Sequence, residues 1–505
     1  MDAEHRIADL EAQIAAKDAR IAEQDARIAE QDARIAEQDA RIAEQDARIA
    51  EQDARIAELE KKLAALVDER GRNSSNSNLP PSSDSPAVRA EKNARKRAAK
   101  QEKRKRGAQP GHRGHRRALV PPEHVDDFVD LFPKHCEHCA TALPETEGPK
   151  PVRFQVIELP AFEPHTTEYR RHCVTCPRCR GETTAPHDPA RIPASPFGPR
   201  LMSAIGLLTG VYHVSRRKTA QLLSDLMGVK LSLGAVSAVE ARVSEAVKAP
   251  TQEALQRVLS DTVKHTDGTT WYQSGVALTL WVLASSVATV FKVLANGQME
   301  TLKALFGRRR GVLVSDRATA LKFWDMERRQ ICWAHLMRKF IKHAERDGPG
   351  GRFGRELLDF TGLIFDYWHR YREKSITRGA LAQLMAPVRA QFEATLERAA
   401  ASGGDHVAGS CADILEHRAA PWTFVDHAHV EPTNNHAERE LRAFVLWRKT
   451  CYGAQSERGN RFAERVMTVA HTARKQNKNV LEFLTECCVA HVDGGEPPSL
   501  FARAA

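Results

Sequence analysis

The chain opens on a strict seven-residue rhythm. Ile7, Ile14, Ile21, Ile28, Ile35, Ile42, Ile49, Ile56 and Leu63 fall seven apart, and the unit RIAEQDA repeats five times from Arg20 to Ala54. A sustained heptad predicts one long helix forming a left-handed coiled coil over residues 1–70. With Ile at position a, position d holds Leu10, Lys17, Gln24, Gln31, Gln38, Gln45, Gln52, Leu59 and Leu66, so the seam is firm only near its ends. Arg at g and Asp at e pair across a parallel dimer, which predicts a homo-oligomer. The rhythm then changes. Residues 197–260 are apolar at helical spacing and predict several helices over 191–260. VALTLWVLASSVATVF, residues 276–291, is too short for a membrane span and is broken by Ser285-Ser286. Its β-branched halves predict two buried strands and a tight turn. TVKHTD and GVLVSD are strand-like runs flanking that pair, with a helix expected near 298–306 and another after Asp316. Residues 331–430 are mainly helical, and NNHAERELRAFVLWRKT returns to a helix within 431–485, ahead of a tail at 486–505.

Charge changes this picture locally. The net charge is +10, yet residues 89–117 alone hold thirteen Lys or Arg against Glu91 and Glu102. The block follows a Ser/Asn/Pro-rich linker within 71–118. It ends in GAQPGHRGHRR, whose glycines and proline rule out a continuous helix there. A local basic block of this kind contacts phosphates; Arg104, Lys105, Arg106, Arg113 and Arg116 are the candidate DNA-contacting residues. In residues 197–260, the cationic SRRK start and the SLGAVS turn are a second place where a helix could lie on DNA.

Ten cysteines without a secretory signal point to a reducing, cytoplasmic setting, where C-x-x-C pairs bind zinc more often than they form disulfides. Cys136 and Cys139 form one pair. Cys173, Cys176 and Cys179 offer two overlapping ones, of which Cys176 and Cys179 are preferred because Pro177-Arg178 lies between them and Gly181 follows. VRFQVIELP between the clusters is strand-like. Residues 119–190 are therefore expected to form a small zinc-ribbon domain around one structural Zn2+.

Three acids stand in telling contexts: Asp267 closes TVKHTD, Asp316 closes GVLVSD, and Glu438 lies near the start of a late helix. Three strands, a helix, a strand and a helix open a ribonuclease H-like fold, in which the first and fourth strands are central, adjacent and parallel. Over 261–330 that order would set Asp267 and Asp316 side by side, with Glu438 arriving after a helical insertion over 331–430. Oxygen ligands so gathered suit two Mg2+ or Mn2+ ions and phosphoryl transfer. The predicted whole is multidomain and mostly α, with an α/β core. Cys332 and His335, one helical turn apart in CWAHLMRKF, are expected to support the acids, as are Asn434 and Asn435; Arg439 and Arg442 beside Glu438 are candidates for holding phosphates.

The residues also carry a resemblance. NSSNSNLPPSSD after a coiled coil, GAQPGHRGH, the paired cysteines, FGPRLMSAIGLLTGVYHVSRRKTAQLL, SLGAVSAVEARV, GVLVSDRATAL, CWAHLMRKF, TNNHAERELRAFVLWRKTCYGAQSERGNRF and TARKQNKNVLEFL occur in this order. Together they resemble the transposases of the insertion sequence 66 family. The resemblance implies that Asp267, Asp316 and Glu438 occupy the positions of a DDE triad and that Cys136, Cys139, Cys176 and Cys179 occupy zinc-finger positions. It implies metal-dependent cutting at the element's DNA ends, transfer of the freed 3′-hydroxyls to target DNA, and accessory proteins of the same element as possible partners. One departure is local: Gly268 follows Asp267 where the family commonly has Glu. The alternative reading is a transposase-derived, zinc-containing DNA-binding protein that does not cut.

Overall fold

The computed structural model describes residues 2–70, 72–77, 84–101, 117–148, 151–189, 191–308, 310–402 and 405–501. Arg104, Lys105, Arg106, Arg113 and Arg116 lie outside the described residues. The chain divides into two units, Met1–Ala90 and Glu91–Ala505.

In the first unit, α1 (Asp2–Arg70) is one uninterrupted helix. The stripe Ile7 to Ile56 is 53–57% exposed at every heptad. After it, the Ser74 amide and hydroxyl both donate to the Asp84 carboxylate, at 2.7 and 2.8 Å. This clasp ties together Ser74 and Asp84 within the Ser/Asn/Pro-rich linker. α2 (Pro86–Gln101) then carries the first half of the basic block as a helix.

In the second unit, residues 117–189 hold little regular structure. β1 (Cys173–Thr175) and β2 (Glu182–Thr184) form an antiparallel hairpin. VRFQVIELP is not a strand. A strand needs a backbone partner, and here side chains make the bonds: Arg153 and Gln155 bond Val120, and Arg117 donates to the Gln155 carbonyl. Val152, Phe154, Val156, Ile157 and Leu159 are exposed as a result.

The helices after Pro199 share a core with later elements. α3 (Pro199–Gly206) runs into a π-helical segment at Leu207–Val211, followed by α4 (Arg216–Met227), α5 (Leu233–Ala246) and α6 (Lys248–Ser260). Ser215 caps α4, and Gly228, at φ 66°, closes it, a left-handed position that glycine adopts without strain. Ser232 of the SLGAVS turn caps α5. That helix buries Val236, Val239, Glu240 and Val243 on one face; the cationic start of α4 is exposed.

A five-stranded mixed sheet follows, ordered β5-β4-β3-β6-β7. β3 (Val263–Gln273), β4 (Val276–Ala284) and β5 (Thr289–Leu294) are successive antiparallel neighbours. After α7 (Met299–Phe306), β6 (Val312–Ser315) pairs parallel to β3, and β7 (Arg329–Ile331) parallel to β6. The expected adjacency of the TVKHTD and GVLVSD strands is thus present. Two details differ. Asp267 is mid-strand, because β3 continues along β4 to Gln273 after its pairing with β6 ends. The stretch after Asp316 is two short 3-10 turns and the added strand β7, where a helix was expected.

Alternation along β4 builds both faces. Leu280, Val282 and Ala284 meet Ala437, Leu441 and Phe444 on one side. Trp281 and Leu283 join the cluster formed by α3, α5, α6 and α7 with α14 (Glu457–Lys475) and α15 (Val480–Asp493) on the other. Between β7 and the Glu438 helix come α8 (Trp333–Ala344), α9 (Gly348–Arg372), α10 (Arg378–Ser402), α11 (Asp405–Leu415) and α12 (Thr423–Asp426). They form their own core with Val312, Val314 and Ile331. α8 and α9 come close because Gly354 has no side chain; a Cβ there would lie 2.3 Å from the Ala344 nitrogen. α13 (Asn435–Cys451) then closes over β3 and β4.

Candidate functional site

Parallel pairing of β3 and β6 sets His265 beside Val314. Two residues further along each chain are Asp267 and Asp316. Asp316 lies just past the end of β6, in a turn held from beneath by a buried arginine. Arg329 of β7 donates to the carbonyls of Asp316 (2.9 Å) and Ala318 (3.1 Å) and to the Ser315 hydroxyl (3.2 Å). The Asp316 carboxylate accepts from the Ala318 amide. Nothing in the pattern of the sequence marked Arg329, since it sits in a three-residue strand.

Glu438 is brought in by Asn434. Fully buried at the cap of α13, Asn434 donates from its side chain to the Thr266 carbonyl (2.8 Å) and from its backbone to Cys332 Sγ (3.2 Å). Its carbonyl accepts the Glu438 amide. One residue, through its side chain and its backbone amide, therefore ties the start of α13 to the residue before Asp267 and to the start of α8. A buried amide so fully bonded fixes position strongly. Asn435 is exposed on the first turn, while Arg439 and Arg442 lie on the solvent side of α13 and Leu441 points into the core.

The electrostatics show two of the acids acting on the third. Burial pushes the Asp267 carboxyl up to about 7; the negative charges of Asp316 and Glu438 push the same way, against the Gly268 amide bond and the positive charge of Arg338. A buried carboxyl with two further negative charges bearing on it invites a cation. Glu438 Oε1 is buried with no hydrogen-bond partner among the described residues. All three donors are carboxylates, the oxygen ligands that Mg2+ and Mn2+ prefer. The donor type suits such ions, while among the described residues the ligand atoms of the three acids do not all lie within 4.8 Å of one another.

Cys332, His335 and Glu438 place their donor atoms within 4.8 Å of one another. His335 Nε2 is 3.7 Å from Glu438 Oε1, beyond hydrogen-bond length, and burial lowers its proton affinity. The contact is therefore between a carboxylate and a mainly neutral imidazole. Cys332 is buried, its thiol pushed up to about 11 by burial, and its sulfur accepts the Asn434 amide. It is a packing and anchoring thiol at ordinary pH. A second cluster, Asp413, Glu416 and His417, is already balanced by ion pairs to Arg317 and Lys322.

Gly268 has a structural partner. It lies opposite Trp281 in the β3–β4 ladder, and a Cβ there would stand 3.0 Å from the buried indole. The indole fills the space that a larger residue after Asp267 would need.

The two cysteine loops are copies of one shape. The Cys136 amide donates to the carbonyl five residues on, Thr141, and the Ala140 amide donates back to Cys136. The Cys176 amide donates to Gly181, and the Arg180 amide donates back to Cys176. Ala140 and Arg180 both have positive φ, 58° and 61°. His135 bridges Ala142 as Thr175 pairs with Glu182. Cys173 stands outside this pattern, in β1. Hydrogen bonds within each loop lower the proton affinity of Cys139 and Cys176. Among the described residues no three of the four sulfurs lie within 4.8 Å of one another. Each loop is formed, and the structure does not bring them to a common point.

Among the described residues, no helix is long and apolar enough to cross a membrane. A family model described as the Transposase IS66 family matches residues 194–462. A second model, a family of unknown function (DUF6444), matches residues 29–118. No curated protein matches the chain.

Proposed function

Because the chain belongs to the Transposase IS66 family, we propose that it is a DNA transposase whose catalytic acids are Asp267, Asp316 and Glu438. The reading is carried by one observation: the charges of Asp316 and Glu438 both bear on Asp267, although 122 residues separate the last two in sequence. The sheet order, with β3 and β6 parallel at its centre and α13 across it, supports a ribonuclease H-like core.

The family's use of divalent metal fits this donor set. The three carboxylates would hold a pair of Mg2+ or Mn2+ ions, which would supply charge stabilisation at a scissile phosphate. The residues around them do the positioning. Arg329 holds the turn that presents Asp316, and Asn434 holds the helix start that presents Glu438. Deprotonated Asp267 is the form that binds a cation, so its raised proton affinity makes the site most competent near neutral pH and above. The reaction we assign is cutting at the element's DNA ends, followed by attack of the freed 3′-hydroxyls on target DNA. The Cys136/Cys139 and Cys176/Cys179 loops are the proposed holders of a structural Zn2+. The Ile stripe of α1, with Arg at g and Asp at e, is the proposed self-association surface, and the basic block is the proposed DNA-contacting arm.

The test is cleavage of DNA carrying the element's own ends by the full chain, with Mg2+ or Mn2+. Asp316→Asn keeps the side chain's shape and removes its charge. It should bind the ends as wild type does and cut them at least about a thousandfold more slowly. Equal cutting by the variant would remove the assignment.

A further inference from the structure

α8 has two faces. Trp333, Leu336, Phe340 and His343 are buried. On the opposite side, one turn apart, stand His335 and Arg338. The start of this helix is fixed with respect to the acids by three contacts: the Cys332 amide donates to the Ser315 carbonyl at 2.9 Å, the Trp333 amide to the Pro432 carbonyl at 2.9 Å, and the Asn434 amide to Cys332 Sγ. His335 is 3.7 Å from Glu438. Arg338 follows at the next position on the same face, half-buried. Its positive charge bears on both Asp267 and His335. Yet its guanidinium makes no hydrogen bond or ion pair among the described residues.

That combination is unusual for an arginine whose charge reaches Asp267. Bonding within the protein is the ordinary fate of such a group: Arg329 donates to two backbone carbonyls and a serine hydroxyl. A guanidinium whose charge reaches a carboxylate, but which is not spent on it, keeps its planar fork of donors for an anion that arrives later. Phosphate oxygens match that fork in geometry and charge.

Resting on the transposase reading of the site, we propose that Arg338 binds a non-bridging oxygen of the DNA phosphate presented to Asp267, Asp316 and Glu438. It is thus a substrate-phosphate contact supplied by α8, separate from the arginines of α13 and from the basic block.

Full-length protein and duplexes carrying the element's end test this, in Ca2+ so that binding is read without cutting. One duplex keeps the scissile phosphate; the other has an uncharged methylphosphonate there. Arg338→Ala should weaken binding of the native duplex about tenfold and leave the methylphosphonate duplex within about twofold. Arg338→Gln, which keeps a polar side chain of similar length, serves as the second variant, with thermal unfolding as the check that both fold. An equal loss on both duplexes, or none on either, overturns the assignment. Wild-type protein that does not prefer its own ends would instead remove the transposase reading, and the Arg338 contact with it.

Discussion

Gly268 and Trp281 act as a pair. The indole lies against the space that a β-carbon on residue 268 would occupy, and Trp281 is buried to 5% exposure. Gly268→Glu should therefore overpack the ladder beside Asp267 and cost about 1–3 kcal/mol. The same change in a Trp281→Val background should cost measurably less, because the blocking ring is gone. Thermal unfolding of the four proteins of this cycle gives the coupling. Additive losses would show that the two residues do not share the space.

His343 makes a second residue-scale case. It is buried on α8, and neither ring nitrogen has a hydrogen-bond partner among the described residues. Burial, then the positive charges of Arg346, Lys339, Lys342 and Arg317, lowers its proton affinity to about 4. The folded state thus takes up a proton later than an unfolded histidine near 6.5. Its contribution to stability is complete above about pH 6.5 and is lost as pH falls from there to about 4. The loss is on the order of 3 kcal/mol. His343→Leu should flatten the stability profile across that window in urea titrations at several pH values. An unchanged slope would mean that other groups carry the acid sensitivity.

At the scale of elements, the two cysteine loops repeat one hydrogen-bond pattern, and Cys173 lies outside it in β1. Cys173→Ser should keep about one zinc per chain, and Cys176→Ser should lose most of it, by metal analysis of purified protein. The reverse outcome would move the second loop to Cys173 and Cys176. Several elements were legible in advance because their periods are long or their runs clean. The heptads of α1, the β4–β5 pair around Ser285-Ser286 and the helix near 299–306 are of this kind. Others were not. VRFQVIELP has strand-forming residues, but strand formation depends on a partner that local sequence does not show. β7 has three residues, one of them a buried Arg329, so neither length nor polarity marks it. α5 follows a turn that suits a projecting helix, and only its contacts with α3, α14 and α15 make it a core element.

At the scale of the whole molecule, the order β5-β4-β3-β6-β7 sets the strand that carries Asp267 beside the strand that leads to Asp316, the basis of the proposed site. The order of strand-like and helical runs was enough to place Asp267 next to Asp316. What the sequence did not show was how Glu438 returns after α8–α12. That depends on Asn434, whose buried bonds to Thr266 and Cys332 exist only in the folded chain. Arg338 was hidden for the same reason, since one arginine in CWAHLMRKF looks like any solvated helix residue until α8 is set against β3 and α13. The most direct test of this convergence replaces a proposed ligand with one of different softness. Asp316→Cys should not cut the element's ends in Mg2+, because that ion binds thiolate poorly, and should recover at least about a tenth of wild-type cutting in Mn2+. Wild-type cutting by Asp316→Cys in Mg2+ would contradict the account, since Asp316 would then not hold the metal.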